Sequence, residues 1–176
     1  MKAAILAPMK SPIFAFATVA LSVALSGAQE WPRFRGPGGV GVSAAKGIPT
    51  GIAPGNIKWE VDVPGTGHSS PVLWDDTIYL TATLGEGLRS LIALDAKDGK
   101  EKWRTEHAFA PYSQHRFNNF AASTPACDGK RVYLTWTSPQ GAEALAVDHS
   151  GETVWKKTLG SFYAKHGSAA SPVLAG

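Results

Sequence analysis

The sequence predicts an all-β fold assembled from repeated four-stranded antiparallel units. Three observations predict it. A short proline motif recurs as Ser70-Pro71-Val72-Leu73, Thr124-Pro125-Ala126-Cys127 and Ser171-Pro172-Val173-Leu174. The copies lie roughly 50 residues apart, a spacing that marks repeat architectures. Behind each of the first two copies runs one series of segments: a turn, an alternating strand, an apolar strand ending in Asp, a Gly turn and a Trp. Finally, 19 Gly and 12 Pro among 176 residues put turns at high frequency, while 44% hydrophobic against 18% charged residues suits a chain that buries a core.

Each unit reads as four strands. In the first they are Ser70 to Trp74, Thr77 to Thr81, Ser90 to Asp95 and Glu101 to Thr105. In the second they are Thr124 to Cys127, Arg131 to Trp136, Glu143 to Asp148 and Thr153 to Thr158. Val132, Leu134 and Trp136 alternate with Tyr133 and Thr135, so the two sets point to opposite faces of one strand. Asp98-Gly99 and Asp128-Gly129 read as hairpin-turn dipeptides in which Gly takes positive φ without a Cβ clash. Asp95 and Asp148 stand before the Gly turns, where a carboxylate can accept nearby backbone N–H groups. Trp59, Trp103 and Trp155 recur once per unit and read as apolar docking residues between neighbours. Cys127, the single cysteine, falls in an apolar strand and reads as an inert thiol. Four short antiparallel strands repeated at this length suit the blades of a partial β-propeller.

The flanks differ from the units. Lys2 and Lys10 precede a charge-free run from Ile13 to Leu25, followed by Ser26-Gly27-Ala28, which is the layout of a secretory signal peptide cut after Ala28. Residues 29–56 read as an irregular, Gly- and Pro-rich strap, and residues 57–176 as the partial propeller. Ile57-Lys58-Trp59-Glu60-Val61 matches the last strand of a unit without its first three. The net charge of +3 contains no basic block, which speaks against nucleic-acid binding. No membrane span is expected once the leader is removed, and a periplasmic or secreted location follows.

The series Leu91-Ile92-Ala93-Leu94-Asp95-Ala96-Lys97-Asp98-Gly99-Lys100-Glu101-Lys102-Trp103 resembles the repeat of PQQ-like propellers. Trp31-Pro32-Arg33-Phe34-Arg35-Gly36-Pro37 resembles the opening of exported, BamB-like members of that group. The resemblance implies a ring of about eight blades, so two complete units are expected to be an incomplete part of it. It also implies two possible roles. The preferred expectation is a non-catalytic binding or assembly scaffold with a protein or cell-envelope ligand and no cofactor. The alternative is part of a PQQ-dependent dehydrogenase, with PQQ and calcium. The adjacent cysteine pair of the best-known alcohol dehydrogenases of that type cannot form from one cysteine.

No catalytic, cofactor or metal residue is assigned from the sequence. Candidate ligand contacts lie in stretches that lead into a unit's first strand. His68 precedes the first, Asn119 the second and His166 the third; each is a candidate polar contact, and for His68 and His166 a hydrogen bond stabilising the inter-blade loop is the preferred reading. Phe109 to Phe120 gathers Tyr112, His115, Arg116 and Asn119, and Leu159 to Ala170 carries Phe162, Tyr163, Lys165 and His166. The two loops hold equivalent places and are expected at one end of the channel. Polysaccharide, peptide and quinone ligands all stay open.

Overall fold

The computed structural model describes residues 30–85, 87–162 and 166–175. The leader segment, Tyr163 and Lys165 lie outside them. Two four-stranded antiparallel sheets follow one another in the chain. The first holds β1 (Val72–Trp74), β2 (Thr77–Thr83), β3 (Leu88–Asp95) and β4 (Glu101–Ala108); the second holds β5 (Ala126–Cys127), β6 (Arg131–Ser138), β7 (Gly141–Asp148) and β8 (Thr153–Gly160). In each sheet the spatial order equals the chain order. The longer strands run two or three residues past the predicted ends, because antiparallel pairing continues as far as the register permits. A register shift falls at Ala93/Leu94 against β4 and at the equivalent Ala146/Val147 against β8, so even the bulge is repeated.

The sheets stack face to face as neighbouring blades. Val72, Tyr79, Leu91 and Ala93 of the first meet Cys127, Val132, Leu134, Trp136, Leu145 and Val147 of the second in one buried cluster, with Trp74 and Trp103 against it. The predicted alternation in β6 holds: Val132, Leu134 and Trp136 are buried in this interface, and Tyr133 and Thr135 point away. The other face of the first sheet buries Ala82, Ile92 and Leu94 against Ile78, Leu80 and Leu84.

The Trp contacts show why the repeat needs its Gly turn. Trp103 Nε1 donates to the His149 carbonyl at 2.9 Å, and its ring lies over Gly151, whose φ is 97°. Trp59 does the same on the first sheet: Nε1 donates to the Ala96 carbonyl at 3.1 Å and the ring lies over Gly99, φ 76°. A Cβ on either glycine would press into an indole. Residues 57–61 nevertheless form no strand, contrary to expectation. A strand needs ladder partners, and these have none among the described residues, so only the anchoring Trp keeps its place.

The turns differ from expectation in one respect. Gly129 is not at positive φ; in the first sheet Asp75, at φ 49°, takes the left-handed place in the corresponding turn. The second turn is closed by the Asp128 carboxylate, whose Oδ1 accepts from the N–H groups of Lys130 and Arg131 at 2.8 and 2.9 Å. Asp95 Oδ1 accepts from the Lys97 N–H, and Asp148 Oδ1 from the N–H groups of Ser150 and Glu152.

Residues 30–56 contain no strand, but their start is not laid loosely on the surface. Trp31 pairs with Leu73 through two backbone hydrogen bonds of 2.9 Å, and the Cys127 N–H donates to the Pro32 carbonyl at 2.8 Å. Trp31 and Pro32 therefore tie the start of the segment to the first strands of both sheets, while residues 41–56 are exposed. Between the units, hydroxyls repeat a further contact. The Ser70 N–H donates to Thr124 Oγ1 at 2.9 Å, and the Thr124 N–H donates to Ser171 Oγ at 3.0 Å.

Candidate functional site

The β2–β3 turn and the connection from β4 to β5 fall at the same end of the first sheet, because its strands alternate in direction. There they enclose an open cleft of about 880 Å³. One wall is Gly65, Thr66, Thr83 and Leu84; the other is the loop from Pro111 to Phe120. A second cleft of about 400 Å³ continues from it, between His115 and Asn118 on one side and His166 and Gly167 on the other. His115 and Asn118 belong to both.

Buried aromatic packing holds the loop in place. The Arg89 side chain, 2% exposed, lies at the start of β3 with its guanidinium 4.1 Å from the Phe109 ring centre and 4.9 Å from that of Trp136. Its Nη1 donates to the Thr137 carbonyl at 2.8 Å. Tyr112 joins the same residue through a 2.7 Å hydroxyl contact with Thr137 Oγ1, and stacks edge-on against Phe120. Burial pulls the Arg89 guanidinium down to about 10, which still leaves it charged at neutral pH. Arg89 thus staples the loop to the second sheet through cation–π and hydrogen-bond contacts. It falls one residue before the strand start read from the sequence; a charged residue interrupting an apolar stretch was the available signal.

The predicted contacts separate into two groups. Tyr112, His115, Arg116 and Asn119 line the larger cleft, and His166 lines the smaller. The two loops do meet: the His115 and His166 rings lie 5.1 Å apart, edge to face, and Asn118 Nδ2 donates to the His166 carbonyl at 2.6 Å. Asn119 ties the loop to the opposite wall, its Oδ1 accepting from the Ala121 N–H at 2.7 Å and its Nδ2 donating to Thr66 Oγ1 at 3.1 Å. His68 stands apart from both clefts; its backbone N–H donates to the Ala121 carbonyl and its side chain is exposed. Asn118 and Gln114, not selected individually from the sequence, contribute as much to the walls as the selected residues.

The remaining histidines are structural. His149 Nε2 donates to the Asp128 carbonyl, which can only accept, so Nδ1 is the acceptor for the Tyr79 hydroxyl; both contacts are 2.8 Å. His107 packs edge-on against Trp136, and burial is the main influence holding its pKa below the ordinary value. Burial raises the Cys127 thiol to about 12, in keeping with an unreactive side chain. Among the described residues no three His, Cys, Asp or Glu side chains converge on one point.

Two stacked four-stranded blades, with clefts at their loop end, have the build of a β-propeller repeat protein. The chain matches, over residues 49–176, the PQQ-repeat family described as outer membrane protein assembly factor BamB, and it belongs to that family. Membership agrees with a periplasmic or secreted protein. A polyvinylalcohol dehydrogenase from Pseudomonas sp is 28% identical over 104 residues, 58% of this chain and 15% of that protein. The chain thus spans a small part of that relative's length. A quinohemoprotein alcohol dehydrogenase from Pseudomonas putida HK5 superposes with a TM-score of 0.37 at 19% identity, over 50% of this chain and 12% of the other, and carries no functional weight. The preference for a non-catalytic scaffold is corrected here: the matching relative is an enzyme, a dehydrogenase.

Proposed function

We propose that the protein is an exported dehydrogenase of the quinoprotein kind that oxidises alcohol groups. The observation that carries this reading is the match to a polyvinylalcohol dehydrogenase across 104 residues. The clefts give it a place for substrate, with hydroxyl and amide groups beside the aromatic rings of Tyr112 and Phe120. In this reading Arg89 and Tyr112 fix the loop wall, and the contact between Asn118 and His166 fixes the two loops against each other.

The fold family implies PQQ with calcium. Calcium takes six to eight oxygen ligands, with carboxylates prominent. Among the described residues the walls of the two clefts contain no carboxylate. The described cleft residues do not fit the quinone–calcium pair, which in this reading is held outside the two clefts, and no oxidative step is assigned to them. Their part is to bind and orient. The test is dye reduction by the purified protein supplied with PQQ and calcium, using polyvinyl alcohol and a small secondary alcohol as electron donors. Reduction that requires both additions is expected; no reduction with either alcohol would overturn the reading.

A further inference from the structure

We propose that the junction of the two clefts is an oxyanion site, taking the carboxylate, phosphate or sulfate group of a ligand. The inference stands apart from the dehydrogenase reading and rests on which polar groups are already committed. Asn118 is committed at both ends: its Oδ1 accepts from the Asn119 N–H and its Nδ2 donates to the His166 carbonyl. Asn119 and the Tyr112 hydroxyl are likewise engaged.

The groups left over are donors and cations. Gln114 Nε2 is buried and has no acceptor among the described residues. The Arg116 guanidinium lies 4.5 Å from the Phe117 ring centre, and no carboxylate pairs with it among the described residues. His115 Nδ1 accepts from the Phe117 N–H at 3.3 Å, which makes Nε2 the N–H that faces outward from this bond. The His166 ring completes the set from the opposite loop. Among the described residues neither cleft has an acidic residue in its walls. An unpaired buried amide donor beside a cation, with no carboxylate among the described lining, calls for a ligand that accepts, and a charged oxygen group answers both the amide and the guanidinium.

The junction is also closely fitted. Gly167 sits at φ 76°, and a Cβ there would lie 2.6 Å from Asn118 Nδ2 and 3.0 Å from Gln114 Nε2. The glycine lets the second loop close against the Asn118 and Gln114 amides of the first. A metal ion is the competing occupant of a histidine pair, but the bond from the Phe117 N–H fixes His115 in the tautomer whose Nε2 carries a hydrogen.

The test is an NMR titration of the whole, isotope-labelled protein with sodium phosphate, sodium sulfate and sodium acetate, each against sodium chloride at matched ionic strength. A separate arm uses zinc chloride. Saturable shifts of the Gln114 amide and of both imidazoles with at least one oxyanion are expected. Arg116→Gln and Gln114→Leu should each weaken that binding about tenfold, the scale of one lost hydrogen bond to a charged group. Unchanged backbone spectra in Arg116→Gln, an exposed position, keep folding out of the readout. Shifts no larger than the chloride control, unweakened binding in both variants, or saturation by zinc alone would overturn the proposal. Dye reduction plays no part in it, so its failure and that of the dehydrogenase reading are distinguishable.

Discussion

The face the first sheet turns toward the second and the face the second sheet turns outward are built from matching residues, yet they end in different states. Tyr79 and Tyr133 hold equivalent places in β2 and β6. Tyr79 is 1% exposed, its hydroxyl bonded to His149 and its pKa raised by burial to about 12. Tyr133 is half-buried and bonds within its own sheet, to Asp128 Oδ2 at 3.0 Å. Trp103 reaches across to a carbonyl and a glycine of the next sheet, while Trp155 meets the Tyr133 ring of its own sheet at 6.2 Å. The same repeat chemistry therefore stabilises only where a neighbour receives it.

Four measurements sharpen or break that comparison, all by urea unfolding unless stated. The largest effect is expected from Trp103→Ala, a loss of about 3 kcal/mol for a large aromatic packed between sheets. Trp155→Ala should cost about 1 kcal/mol or less, as a substitution outside a packed interface. Equal losses would break the comparison. Next comes Gly151→Ala, where positive φ and the Trp103 ring both oppose a Cβ; roughly 1–3 kcal/mol is expected. Gly160→Ala, with φ 110° but nothing within 4 Å, should cost less. Tyr79→Phe should cost about 1–2 kcal/mol by stranding the His149 acceptor, and Tyr133→Phe roughly 0.5 kcal/mol.

The smallest effect concerns acid. The Asp128 carboxyl is held below its ordinary pKa. Burial, the largest single influence, pushes it up and is outweighed by the N–H groups of Lys130 and Arg131 and the Tyr133 hydroxyl. A lowered folded pKa contributes stability above the unfolded value of roughly 3.9, and that contribution is lost as pH falls through the folded value. Asp128→Asn should therefore flatten the acid limb of a stability–pH curve while leaving its neutral plateau lower. An unchanged acid limb would show that this turn does not report on folding.

What the sequence made legible follows the same division. The strands were legible because each is repeated with its turn and its Trp, and repetition separates signal from local accident. The segment around Trp59 misled for the same reason: its residues match an outer strand, but strand formation depends on partners that composition does not reveal. At the clefts, equivalence of the two loops placed His115 and His166 at one end, and the structure brings their rings together. Arg89 was missed because its role is a tertiary one, set by Phe109 and Trp136 from either side. His68, read from the sequence mainly as a loop contact, lines neither cleft and bonds through its backbone N–H to the Ala121 carbonyl.

The hydroxyl before each proline gives the array a polarity. Ser70 donates its backbone N–H to Thr124, and Thr124 donates its own to Ser171, so every unit gives in one direction and receives from the other. An array joined this way grows as a sentence with fixed word order does. A duplicated or deleted unit leaves the grammar intact if it carries Ser or Thr at that one place, whereas a unit inserted in reverse would set donor against donor. The residue that carries this direction is the small alcohol rather than the large tryptophan.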